Sequence, residues 1–112
     1  MQRNQLSDYS PLNIHAPLWW FRRAKKASHS ALYTGLALWH FMTNCKTSEL
    51  QLPKSTLSVV LGTSETHVKR GLRDLRKANL IRIMERPGKA NFIAILDHDG
   101  QTFNFTRPRS QL

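Results

Sequence analysis

The chain has 112 residues, 40% of them hydrophobic, and its 17 Lys and Arg against 7 Asp and Glu give a formal net charge of +10. That length suits one small domain with tails. A single cysteine, Cys45, excludes an internal disulfide and suits a reducing cytoplasm. No apolar run approaches the ~20 residues of a transmembrane helix.

The opening "MQRNQLSDYSPLNIHAP" lacks the apolar core of a signal peptide, so a soluble, cytoplasmic and nucleoid-associated chain is expected. The charge calls for an acidic partner, nucleic acid before an anionic membrane surface. It is also concentrated. Residues 53–89 carry Lys54, Lys69, Arg70, Arg73, Arg76, Lys77, Arg82, Arg86 and Lys89 against Glu65, Asp74 and Glu85, whereas Arg107 and Arg109 balance Asp97 and Asp99 in residues 90–112.

In chain order, residues 1–29 are expected to form an N-terminal arm with a short helix. Pro17 before "LWWFRRAKKA" suits a first helical turn, and the cations at the far end suit a helix C-terminus, but the paired tryptophans fit strand or loop anchors equally. The cations Arg22, Arg23, Lys25 and Lys26 are either a solvated face or a second phosphate-binding strip. In "SHSALYTGLALWHFMTNC" Ser28 or Ser30 can cap a helix whose apolar residues cover most of its circumference. One side needs a wing or sheet against it, and another needs the Trp segment or a second subunit. "ELQLP" is a short extended piece.

A helix from Pro53 to Leu61 then turns Leu57, Val60 and Leu61 inward and stops at Gly62, a left-handed C-cap. Ser64 caps the next helix, Glu65 to Asn79. Val68, Leu72 and Leu75 form its inward stripe, and Gly71 allows a close neighbour. Lys69, Arg70, Arg73, Arg76 and Lys77 lie outside. Asn79 is the C-cap. "LIRIMER", the turn "PGK" and "ANFIAIL" make a hairpin with a basic tip, and "TFNF" offers one more short strand before a disordered end. The expected class is mainly α with a small β-hairpin (α+β), with residues 30–96 as the domain and 97–112 as a tail.

A brace helix, a tight turn and a basic helix form a helix-turn-helix, whose second helix enters the major groove. The run "LPKSTLSVVLGTSETHVKRGLRDLRKANLIRIMERPGKANFIAIL" resembles the winged helix-turn-helix of bacterial regulators, especially the GntR-type and MarR-type groups. The shared features are Leu52-Pro53, Leu61-Gly62 with Ser64, Val68-Lys69-Arg70, Leu72, Leu75, "ANLI" and "RPGKANF". Residues 30–44 resemble the first helix of small helix-turn-helix proteins of bacterial and mobile-element genomes. Ser58, Thr63, Glu65 and His67 depart from the usual residues.

The resemblance implies base or near-base contacts from Ser64, Glu65, Thr66, His67, Lys69 and Arg70. Lys69 or Arg70 would pair with guanine O6 and N7, and Glu65 would either accept from cytosine or exclude the wrong sequence by repulsion, each good pair contributing ~1–3 kcal/mol. It implies phosphate contacts from Lys54, Ser55, Thr56 and Arg73, and wing contacts from Arg86 and Lys89. Arg76 and Lys77 fit a solvated face equally. The expected function is sequence-specific binding of double-stranded DNA by a small transcriptional regulator, a repressor acting as a homodimer. The alternatives are a plasmid or phage replication, partition or conjugation factor, and a protein-interaction module. No small-molecule effector, cofactor or membrane partner is expected. The sequence has no paired-carboxylate cleft, no nucleophile with a base at motif spacing and no clustered metal ligands, so no catalysis is expected.

Overall fold

The computed structural model describes residue 14 and residues 16–104. The elements run α1 (Leu18–Ala27), α2 (His29–Cys45), β1 (Glu49–Gln51), α3 (Lys54–Leu61), α4 (Glu65–Lys77), β2 (Ile81–Arg86) and β3 (Lys89–Ile95). Among the described residues the fold is mixed α+β, with four helices and one antiparallel three-stranded sheet in the order β1-β3-β2. Of the expected arm and tail, residues 1–13, 15 and 105–112 lie outside the described residues. Among those described, no helix is long and apolar enough to cross a membrane.

α2 is the axis of the core. Ala31, Ala37, Leu38, Trp39, Phe41 and Met42 are all buried, so α2 is covered on more than one side, while Tyr33 stays 55% exposed. The segment after Pro17 is helical, and Trp20 and Ala24 of α1 are fully buried. Trp20 meets Trp39 edge-on at 5.6 Å, so the Trp segment covers that side of α2. From the chain after β3, Phe103 reaches Trp39 at 5.0 Å. The extra strand expected at "TFNF" is a single bridge, Leu96 with Thr102. The cause is a tight turn: the Asp97 carboxylate accepts from the Asp99 and Gln101 N–H groups, and Phe103 N–H donates to the Ile95 carbonyl at 2.8 Å.

Local chemistry sets the helix ends. Ser28 Oγ accepts from Ala31 N–H at 2.9 Å to start α2. α3 ends with Gly62 at φ 67°, a conformation costly for residues with a β-carbon. Gly62 N–H donates to the Val59 carbonyl and Thr63 N–H to the Ser58 carbonyl, the paired bonds of a Schellman cap. The helical ladder of α4 stops at Lys77, two residues before the expected end. Asn79 is left-handed at φ 61° just beyond it, and Asn79 and Leu80 donate to the Arg76 and Leu75 carbonyls in the same pattern.

α4 buries Val68, Gly71, Leu72 and Leu75. At Gly71 it approaches α2 so closely that a β-carbon would stand 2.5 Å from the Ser30 carbonyl oxygen and would press on Thr34. In the sheet, Ile81, Ile93 and Ile95 alternate inward and close the core beneath α4. Leu50 pairs with Ile93 and Ile83 with Ile93 across β3, so β1 extends the same apolar face. On the other face Arg82 reaches Thr102 Oγ1 at 2.9 Å and Glu49 at 3.8 Å.

Candidate nucleic-acid interface

At about 100° per residue, the buried stripe of α4 leaves Thr66, Arg70, Arg73 and Lys77 along its outer crest. Lys69 and Arg76 fall on the flank facing the hairpin, and His67 and Asp74 on the other flank. All six of Thr66, Lys69, Arg70, Arg73, Arg76 and Lys77 are exposed. The described ion pairs at this helix reduce to Arg73 with its neighbour Asp74 at 3.6 Å, and an exposed pair of that kind contributes little. The crest therefore carries an almost uncompensated row of cations.

Between α4, the start of α3 and the hairpin runs a trench. One part, about 280 Å³, is lined by Lys54, Lys69, Arg73 and Arg76 on the helical side and by Ile83, Glu85 and Asn91 on the hairpin side. The adjoining part, about 310 Å³, shares Lys54, Leu72, Ile83 and Asn91 and adds Ser55 and Glu65. The trench exists because the hairpin outruns the core. Ile81, Ile93 and Ile95 are buried, Ile83 and Asn91 are half-buried, and Glu85 is exposed.

The residues expected from the sequence thus fall into distinct places. Lys54, Ser55, Glu65, Lys69 and Arg73 come together along the trench. Thr66 and Arg70 stand on the crest. Ser64 is exposed, but its hydroxyl accepts from His67 N–H at 3.1 Å and so holds the first turn of α4. His67 is half-buried, with Nδ1 3.4 Å from Ser30 Oγ, and it lines a separate hollow with Tyr33, Leu61 and Thr63. Thr56 is half-buried in α3 and does not line the trench. The guanidinium of Arg86 lies 4.6 Å over the Phe92 ring, on the sheet face turned away from the trench. Lys89 pairs with Arg86 across the turn, and its side chain lies outside the described residues.

Three polar trench residues, Arg76, Glu85 and Asn91, were not among the expected contacts. Asn91 was detectable in principle. It shares strand parity with the buried Ile93 and Ile95, and a polar residue at a core-facing position marks where that face leaves the core. Arg76 was ambiguous because a helix C-terminal cation also suits the helix dipole.

Elsewhere His40 is buried in α2, with Nε2 3.1 Å from Asn44 Nδ2, and burial pushes its pKa below the usual 6.5. Among the described residues, no three or more His, Cys, Asp or Glu side chains gather where they could hold a metal ion. No protein-family model matches the sequence, and neither a curated protein nor a solved structure matches the chain.

Proposed function

We propose that this chain is a winged helix-turn-helix protein that binds double-stranded DNA sequence-specifically. In this reading α3 braces α4, α4 enters the major groove crest first, and the β2–β3 hairpin is the wing. The observation that carries the reading is the asymmetry of α4. One face is locked against α2 at Gly71, and the opposite face presents five exposed cations with one acidic neighbour. A major groove about 12 Å wide admits one such helix. Arg70 and Lys69 then contact base edges, Thr66 lies at the same depth, and Lys54, Ser55 and Arg73 meet phosphate along the trench wall.

One helix spans few base pairs, so the working unit is a homodimer whose half-sites lie about one helical turn apart. The simplest biological outcome is transcriptional repression by occupying an operator. Selection from a random duplex pool with the purified chain, followed by anisotropy titration, tests this. The selected site should bind at least ~10³-fold more tightly than random duplex at physiological salt. Inverted half-sites support a dimeric regulator, whereas tandem direct repeats favour the replication or partition role. An absence of binding at low ionic strength would end the proposal.

A further inference from the structure

α1 carries a second cationic surface that the reading above leaves unused. Its buried side, Trp20 and Ala24, is committed to the core. Arg22, Lys25 and Lys26 are exposed on the other side, Arg23 is partly exposed, and α1 contains no acidic residue. Among the described residues none of the four cations forms an ion pair. Together with Trp19 they line one open hollow, with the Arg23 guanidinium 5.1 Å above the Trp19 ring. Four like charges on less than three turns repel one another, and among the described residues only the helix C-terminus beside Lys25 and Lys26 and the Trp19 ring beneath Arg23 offset that cost.

The position of this surface is informative. Trp19 meets His98 edge-on at 4.9 Å. His98 lies in the turn just after β3, where Leu96 N–H donates to the Leu80 carbonyl, and Leu80 closes the cap of α4. The α1 surface therefore sits at the end of the molecule where α4 finishes with Arg76 and Lys77, away from the Ser64 end.

Resting on the proposed DNA-binding role, we infer that α1 is a second phosphate-contacting surface, which grips the backbone of the same duplex beyond the segment contacted by α4. Open cations around a half-exposed tryptophan complement a phosphate backbone, where the ammonium and guanidinium groups meet phosphate oxygens. An anionic membrane surface is the weaker occupant. An interfacial helix inserts a continuous apolar face, whereas Trp20 and Ala24 of α1 are committed to the core and Leu18 is the one large apolar side chain left exposed on it.

The test compares the wild-type chain with R22Q/R23Q/K25Q/K26Q and with K69Q/R70Q/R73Q, using the salt dependence of affinity for a long duplex and for one trimmed to the α4 footprint. Each phosphate contact contributes ~0.9 to the log–log salt slope, so the α1 variant should be shallower by ~2–3.5 on the long duplex and close to wild type on the short one. The milder K25Q/K26Q should lose about half as much, and circular dichroism melts verify that each variant is folded. An unchanged slope for the folded α1 variants on the long duplex overturns this inference alone. A wild-type chain that binds neither duplex overturns the DNA-binding reading itself. Co-sedimentation with phosphatidylserine–phosphatidylcholine vesicles that the α1 variant loses, while its DNA slope stays intact, assigns the surface to membrane and also overturns the inference.

Discussion

Replacing Gly71 with alanine tests the contact on which the placement of α4 depends. The added β-carbon would lie 2.5 Å from the Ser30 carbonyl oxygen and 2.9 Å from Thr34 Cβ, besides pressing on Thr34 Oγ1. A side chain can rotate away, but a carbonyl inside α2 cannot without breaking helical hydrogen bonds. Relief to an ordinary ~3.4 Å contact requires α4 to lift by roughly 1 Å from α2. Overpacking of this kind costs ~1–3 kcal/mol, and a rigid backbone neighbour places Gly71→Ala at the upper end. Alanine returns up to ~1 kcal/mol of helix propensity, so the net loss is ~2 kcal/mol. For a domain of this size that lowers Tm by about 8 °C. Urea melts should show a lower midpoint at an unchanged slope. The double variant Gly71→Ala with Thr34→Ala should recover only part of the loss, because the Ser30 carbonyl remains. A Gly71→Ala chain that melts at or above the wild-type temperature would refute the close approach and the rigid seating of α4.

The other expectations concern charge. Arg70→Ala should cut the ratio of specific to random-duplex affinity by ~10-fold or more, read by anisotropy; equal losses on both duplexes would remove its base-contacting role. Lys89→Ala should weaken binding to all duplexes alike and make the salt slope shallower by ~0.9, and an unchanged slope would place it off the backbone. Arg73→Gln removes the repulsion of Arg73 with Lys69, Arg70, Arg76 and Lys77, so it should stabilise the free chain by ~1 kcal/mol at low salt while weakening DNA binding. Loss of stability instead would show that the cations do not strain the helix. His40 titrates below its usual 6.5 because it is buried, so the unfolded chain binds its proton first as pH falls. Stability should be full above about pH 6.5 and decline below it, and His40→Gln should flatten that part of the Tm–pH curve. Identical curves would count against burial as the cause.

What was legible in the sequence follows the strength of local signals. Gly62, Ser64 and the Val68–Leu72–Leu75 stripe act within a few residues, and both helices appear where those signals put them. The close contact at Gly71 was legible too, because a lone glycine on the inward stripe of a charged helix has few other uses. The segment from Leu18 was open between helix and strand, since Trp19 and Trp20 are compatible with both. Its helical state is fixed by Trp20 packing on Trp39, nineteen positions away. The trench was illegible for the same kind of reason: Lys54, Arg76 and Asn91 belong to three elements, and only the crossing of α4 over the sheet brings them together. Arg86 is the clearest limit. Its place at the hairpin tip was readable, but the bulge between Met84 and Arg86 and the Phe92 ring decide which face it covers.

The arrangement of charge on α4 is hard to explain by stability. Arg76 and Lys77 sit in the last turn, where the helix dipole favours cations. Lys69 and Arg70 lie in the N-terminal half, where it does not, and Arg73 has cationic neighbours three and four residues away on both sides. Each such pair costs a few tenths of a kcal/mol in the free protein. Glu65, the acid best placed for the dipole, lines the trench with Lys54 and leaves the crest with Asp74 as its one acidic neighbour. Simple solubility would be met by charges of both signs on this face, as on most exposed helices. A polyanion would reverse the sign of the cation–cation terms: phosphate between neighbouring cations turns mutual repulsion into shared attraction. On the proposed reading the strain of the isolated helix would be released on binding, and the rigid contact at Gly71 would direct that gain into one orientation of α4.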